Sequence, residues 1–290
     1  MNVVDVLTPE GQYVRALSGA HGAVIVHVEQ VRPDALAVTI DGDATEHAHT
    51  LALVQCMLGA DRDLTDFDRA VARIPWLAPL VERMRGVKPP RYPALWDACA
   101  NAIVFQQVSL RAASAIMHRL IIALGHPVEV TGVPVPLYQF PSAESVSAAT
   151  DDLLRTTGLS ATRLATFRRV GDAIATGVLD ATTLEQCSST EAAAILRRIK
   201  GIGPWTAAVI LLRGLGRLDV FPANDTSVAS NIALVSGSMT FDIPSVLTAL
   251  GEQRGMLYFH LLLARLEARG EVGRPSFGRP QLGNPVRAAP

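Results

Sequence analysis

Between Gln12 and Ile40, β-branched and aliphatic residues alternate with polar ones, as in His21-Gly-Ala-Val-Ile-Val-His-Val and Ala35-Leu-Ala-Val-Thr-Ile. A period of two places alternate side chains on opposite faces, which predicts strands with one buried face. Asp41-Gly42 closes the second run, a pair suited to the positive φ of a turn. The stretch predicts an antiparallel unit of three or four strands, and His49–Leu58 then reads as a helix.

From Thr65 onward the apolar spacing changes to three and four, the period of an amphipathic helix. Helices are predicted over Thr65–Ile74, Leu77–Arg85, Pro93–Gln107, Ser109–Leu124, Ser142–Ala149, Asp151–Thr156, Ser160–Ala175, Thr190–Lys200, Pro204–Gly214, Thr226–Leu234, Pro244–Leu250 and Arg254–Arg269. Ser188 stands three residues before Glu191, the spacing of a capping box, and Pro204 and Pro244 occupy first-turn positions. Gly125–Pro136 mixes Gly, Pro and β-branched residues and is expected to be an irregular connection. The segregated pattern predicts an α+β fold. Its expected divisions are a β-rich domain over 1–62, an α-helical domain over 63–272 and a loose Gly/Pro-rich tail over 273–290.

Composition fits such a body. Of 290 residues 49% are hydrophobic, enough for a sizeable core. No apolar run reaches the roughly 18–20 residues of a membrane span, and the first residues lack the basic start of a signal peptide. Cys56, Cys99 and Cys187 form no C-x-x-C pair, which points to a reducing compartment. A cytoplasmic, monomeric protein with no membrane contact and no obligate protein partner is expected.

The net charge of −1 is unevenly spread. Residues 1–80 hold 5 Lys/Arg against 11 Asp/Glu, and residues 81–290 hold 21 against 16. A basic face on the helical part suits phosphate binding, and an ordinary solvated helical surface would give the same counts. His47 and His49 upstream of Cys56 lack a fourth ligand, so no zinc site is expected there. His118 and His260 lie in helices and read as buried or capping groups.

The most informative stretch is Leu196-Arg-Arg-Ile-Lys-Gly-Ile-Gly-Pro-Trp-Thr-Ala-Ala-Val-Ile-Leu. One helix ends at Lys200, Gly201-Ile202-Gly203 makes a tight turn, and Pro204 starts a second helix at once. The amides of Gly201, Gly203 and Thr206 can face outward from a helix N-terminus, where partial positive charge favours a phosphate. Backbone donors would make such binding independent of sequence. An ordinary helical corner remains the simpler alternative. About twenty residues on, Asp219-Val-Phe-Pro-Ala-Asn-Asp225 brings an acid to the start of another helix. Asp225 can serve as a helix cap. Kept ionised near a phosphate clamp, it can also stabilise an oxocarbenium-like sugar or direct a water at C1′.

Hairpin, Gly/Pro-rich loop and Asp together resemble the signature of the helix-hairpin-helix (HhH-GPD) DNA glycosylase superfamily, and within it the bacterial 3-methyladenine DNA glycosylase II branch. The likeness extends to Asn101-Ala-Ile-Val-Phe-Gln-Gln-Val-Ser-Leu-Arg-Ala-Ala, Gly158-Leu-Ser-Ala-Thr-Arg and Arg91-Tyr-Pro-Ala-Leu-Trp, and spans about Leu64 to Leu266. The resemblance implies that Asp225 is the catalytic carboxylate and that the amides of Gly201, Gly203 and Thr206 bind a DNA phosphate. It implies that the carbonyls of Arg197, Ile199 and Ile202 hold a structural Na⁺ or K⁺, with no other cofactor required. Gln107 falls where the family places its DNA wedge, and Gln106 beside the base pocket; solvation of a helix end is the alternative for both. Trp205 stands where bifunctional relatives have a nucleophilic Lys, so hydrolysis without lyase chemistry is expected. Trp205 reads as a wall for the flipped base or as core packing. At two positions where relatives carry pocket aromatics this chain has Val209 and Leu262, and Tyr258 is the candidate substitute. The expectation is excision of damaged bases, alkylated purines first, from double-stranded DNA in base excision repair. Removal of oxidised or deaminated bases and non-catalytic DNA binding are the alternatives.

Overall fold

The computed structural model describes residues 3–223, 225, 227–237 and 242–271. Strands β1 (Asp5–Leu7), β2 (Tyr13–Gly19), β3 (Gly22–Arg32) and β4 (Ala35–Asp41) form an antiparallel meander in that order. Val14 pairs with His27 and Val26 with Ile40. Helix α1 (His47–Leu58) covers one face of this sheet, where Leu17, Val24, Val26 and Val28 pack with Val54 and Met57. The other face meets the rest of the chain through Val14, Ala16, Ile25 and Leu137. The sheet is therefore packed between α1 and the segment around Leu137.

That body comprises α2 (Thr65–Val71), α3 (Ala78–Arg83), α4 (Leu95–Val104), α5 (Leu110–Leu124), α6 (Ala143–Ala148), α7 (Asp151–Thr156), α8 (Ala161–Ala175), α9 (Ala181–Gln186), α10 (Ser189–Arg197), α11 (Pro204–Gly214), α12 (Ser227–Ser236), α13 (Ile243–Leu250) and α14 (Gly255–Ala268). Serines, threonines and aspartates begin many of them. Ser109, Ser142, Thr150, Ser160 and Asp180 each accept a hydrogen bond from a first-turn amide, which satisfies a donor the helix cannot pair itself. The capping box at Ser188 and Glu191 forms in both directions. Helix α4 is buried along nearly its whole length and packs against α8 and α11 in one core cluster. A second cluster joins α2 and α3 to α12 and α14. Gly214 permits the α4–α11 contact, because a Cβ there would lie 2.7 Å from the Cβ of Ala98.

Three expectations need correction. The connection after α5 contains a two-stranded ladder, β5 (Pro127–Val128) with β6 (Leu137–Tyr138). Helix α9 was not anticipated. Of the two hairpin glycines only Gly201 has a positive φ, +105°; Gly203, at φ −88°, has backbone that any residue adopts. The expected helix start at Thr226 and the tail over 273–290 lie outside the described residues. No described helix is long and apolar enough to cross a membrane.

Candidate nucleic-acid interface and active site

The hairpin follows from local chemistry. After α10, the amide of Ile202 donates to the carbonyl of Ile199 at 3.0 Å. Gly201 occupies the third position of this turn, where a left-handed φ is required. A Cβ at Gly201 would fall 2.0 Å from Oγ1 of Thr166, so α8 and the hairpin touch there. Ile202 is buried in the larger core. Pro204 then opens α11 with its φ already suitable and no amide to satisfy.

Among the described residues, the amides of Gly201, Gly203 and Thr206 have no protein acceptor. Gly203 and Thr206 flank the first turn of α11, whose amides point out along the helix axis. The carbonyls of Arg197 and Ile202 accept no hydrogen bond from a described residue, and Ile199 accepts one. Arg197, Arg198 and Lys200 are exposed beside the turn, and none of them pairs with a described acid.

Asp225 is held by four donors. Its Oδ1 accepts from the amide of Ser227 at 2.8 Å and from the Ser227 hydroxyl at 2.7 Å. Its Oδ2 accepts from the indole nitrogen of Trp205 at 3.0 Å and from the hydroxyl of Tyr258 at 3.0 Å. Partial burial pushes this carboxyl up, and the donors from Ser227, Trp205 and Tyr258 outweigh it, so its pKa lies below the ordinary carboxylate value. Asp225 is therefore ionised at neutral pH. Burial, followed by the Asp225 charge, pushes Tyr258 up, which keeps its phenol a donor.

Trp205, Val209 and Arg213 recur every fourth residue and so share one face of α11, while Tyr258 and Leu262 do the same on α14. Val209 is half-buried against the larger core and Leu262 is half-buried. Their small or aliphatic side chains leave Trp205 and Tyr258 as the aromatics at Asp225.

Gln107, at the turn between α4 and α5, is exposed and is the sole non-glycine with positive φ among the described residues, at +50°. Such strain persists where surrounding structure holds it. Gln106 bonds to the hairpin. Its amide nitrogen donates to the carbonyl of Gly201 at 2.9 Å and to Oγ1 of Thr206 at 2.8 Å. It ties the α4–α5 turn, which carries Gln107, to the hairpin. Arg163 donates to the carbonyl of Gln106, and Arg169 to that of Lys200 at 3.2 Å. Sequence reasoning did not find these two α8 arginines, since each acts through a backbone carbonyl distant in sequence. His260 is 2% exposed and donates from Nδ1 to the Met256 carbonyl, 2.9 Å away. It stacks on Phe67 and is part of the core. No cluster of three metal-ligating His, Cys, Asp or Glu side chains occurs among the described residues.

The fold is that of solved DNA glycosylases. Superposition on a 3-methyladenine DNA glycosylase from Archaeoglobus fulgidus gives a TM-score of 0.76 at 23% identity, covering 91% of this chain and 90% of that one. An 8-oxoguanine glycosylase/lyase from Clostridium acetobutylicum, in complex with DNA, gives 0.73 at 16% identity over 92% and 89%. No family model matches the chain. In sequence, 217 residues are 29% identical to a probable bifunctional transcriptional activator/DNA repair enzyme AlkA of Mycobacterium tuberculosis. Other relatives in sequence are named DNA-3-methyladenine glycosylase, from Schizosaccharomyces pombe at 29% identity over 134 residues and from Bacillus subtilis at 26% over 175. The alignment takes in 74% of this chain and 42% of the mycobacterial protein, so the chain spans less than half of that relative's length.

Proposed function

We propose that the chain is a monofunctional DNA glycosylase that hydrolyses the N-glycosidic bond of damaged bases, alkylated purines first, in duplex DNA. The observation that carries this reading is the ionised Asp225, fixed by Ser227, Trp205 and Tyr258 beside a hairpin with free amides. A glycosylase needs a charge next to a clamped sugar-phosphate, and these groups supply both.

In the proposed reaction the hairpin amides hold a phosphate near the lesion, and Arg197, Arg198 and Lys200 add long-range attraction. The damaged nucleotide leaves the stack, and Gln107 fills the gap. The C1′–N bond breaks with its electron pair passing to the base, so a cationic alkylated base leaves neutral. Asp225 stabilises the positive charge that develops on the sugar. A water oxygen then bonds to C1′ and its proton passes to the carboxylate or to solvent. Trp205 has no amine to attack C1′, and its indole is committed to Asp225, so no Schiff base forms. Trp205 and Tyr258 present aromatic faces to the base, with Val209 and Leu262 leaving the pocket wide. The carbonyls of Arg197, Ile199 and Ile202 would hold a Na⁺ or K⁺, whose charge would strengthen the phosphate clamp.

Single-lesion duplexes carrying 3-methyladenine, 7-methylguanine, ethenoadenine, hypoxanthine, uracil or 8-oxoguanine test the proposal, each reaction being split and resolved with and without hot alkali. Strand breaks appearing only after alkali, with nothing trapped by borohydride, are the expected result. Breaks without alkali, or a trapped covalent complex, would refute hydrolysis. A ranking led by 8-oxoguanine would refute the alkylated-base preference.

A further inference from the structure

We propose that a cavity between the four-stranded sheet and helices α4 and α5 binds a small phosphate-bearing molecule of about mononucleotide size. The cavity has a volume of about 400 Å³, within the range of sites that enclose small ligands. Its wall draws Arg15 from β2, Arg91 from the segment before α4, His118 from α5 and Arg213 from α11. Asp225, Trp205 and Tyr258 do not line it. Its lining is thus distinct from the groups of the proposed excision centre, although Arg213 acts electrostatically on Tyr258, and the proposal does not depend on that reading.

The charge on this wall is positive. Asp5 is its one acid, and both Arg15 and Tyr13 bond to the same oxygen of Asp5 at 3.1 Å. Arg213 has no described carboxylate partner. Its Nε donates to the carbonyl of Pro90 at 2.9 Å, and its guanidinium lies 4.7 Å above the Tyr92 ring, which holds the cation in place. Arg91 donates from Nη2 to the carbonyl of Gly214 at 3.4 Å and meets one described carboxylate, Asp61, at 4.0 Å, an acid that also pairs with Arg62 at 3.3 Å.

Three nitrogens on the wall are buried without a hydrogen-bond partner: Nε of Arg15, Nε of Arg91 and Nδ1 of His118. Arg15 is itself only 8% exposed. A buried donor left unmade costs about 1–3 kcal/mol, more when charged, and native proteins keep few of them. Two arginine Nε–H donors around one cavity, joined by His118 Nδ1 in its donating tautomer, point to an acceptor that the protein does not supply. A phosphate offers several oxygens and the charge to match two or three guanidinium groups. An inorganic phosphate alone would leave most of the volume empty. The remaining lining includes Phe105, Met57 and Met117, surfaces that suit a planar nucleobase.

Calorimetric titration of the full chain with inorganic phosphate, 5′-dAMP and deoxyadenosine tests this. Phosphate is expected to bind, dAMP to bind at least tenfold tighter, and deoxyadenosine to bind far more weakly than dAMP. Two variants report on the site: Arg91→Gln removes one of its cations, and Ser114→Trp places an indole at the exposed rim. Each is expected to weaken dAMP at least tenfold while the melting temperature and the affinity for an abasic duplex stay unchanged. Binding of dAMP should persist with the protein saturated by that duplex; displacement would mean that the groups serve a DNA phosphate, and would overturn the proposal. Failure of both phosphate and dAMP to bind, or binding unaffected by either variant, would overturn it as well.

Discussion

Substituting Gly201 by alanine is the sharpest structural test of the hairpin. Two costs follow from its geometry. At φ +105° an L-residue is strained, which costs about 1–2 kcal/mol. The added methyl would also stand 2.0 Å from Oγ1 and 2.8 Å from Cγ2 of Thr166. Thr166 is 1% exposed and its hydroxyl donates to the Thr162 carbonyl at 2.9 Å, so it cannot swing aside freely. Overpacking of this kind costs about 1–3 kcal/mol. Gly201→Ala should therefore lose roughly 2–5 kcal/mol, a fall in Tm on the order of 5–15 °C for a domain of this size. Its affinity for an abasic duplex should drop as the free amides move. Thr166→Ala opens the space, so the same substitution in that background should cost less, and the difference measures the contact. Thermal melts by circular dichroism and fluorescence anisotropy with the duplex give both readings. A Gly201→Ala protein that melts with the wild type would refute the packing argument.

Gly203→Ala should behave in the opposite way: a Cβ there meets nothing within 4 Å, so Tm should hold while duplex affinity falls, because the methyl would stand over the proposed phosphate. Trp205→Phe keeps the ring and removes one donor from Asp225, so the Asp225 pKa should rise and the acidic limb of the excision pH profile should move upward. Asp97 is buried, and that burial, only partly offset by Arg15 and an amide near Ala94, raises its pKa to about 6. Its folded form therefore binds a proton more tightly than the unfolded chain, so stability is full below about pH 4 and declines as pH rises through about 6, by up to about 3 kcal/mol. Denaturant unfolding at pH 4, 5, 6 and 7 should show that decline in the wild type and a flatter profile in Asp97→Asn. Gln106→Ala should weaken duplex binding by uncoupling the α4–α5 turn from the hairpin, with Gly201 and Thr206 left without their shared donor.

The parts of this molecule that were legible in the sequence are those encoded locally. The capping box at Ser188, the proline starts at Pro204 and Pro244, and the period-two pattern of β2 to β4 fix elements through neighbours within four residues. Helix α9 escaped notice because six residues with Thr182 and Thr183 bury only Leu184, too little for a periodic signal. The β5–β6 ladder is two residues per strand, below the length at which alternation can be seen. The same division holds at the site. The hairpin and the acid at a helix start are local features of the sequence, and the roles of Asp225 and Trp205 are what the family resemblance implies. The bond from Tyr258 to Asp225 and the bridge from Gln106 to Thr206 join residues 33 and 100 positions apart, and only tertiary packing brings those together. The cavity wall is more dispersed still, its arginines coming from a strand, a connecting segment and a helix.

The central claim rests on the charge of Asp225, and the most direct test compares wild type with Asp225→Asn in single-turnover excision of 3-methyladenine and 7-methylguanine from duplex DNA. The amide has one acceptor oxygen where the carboxylate serves four donors, so the variant should lose some stability as well as its charge; affinity for an abasic duplex checks that it remains folded and bound. The account predicts a loss of at least about 10²–10³ in the excision rate, the scale of one well-placed electrostatic group, with duplex affinity within about threefold of wild type. Excision retained within about tenfold would mean that Asp225 only caps α12, and the catalytic reading would fall.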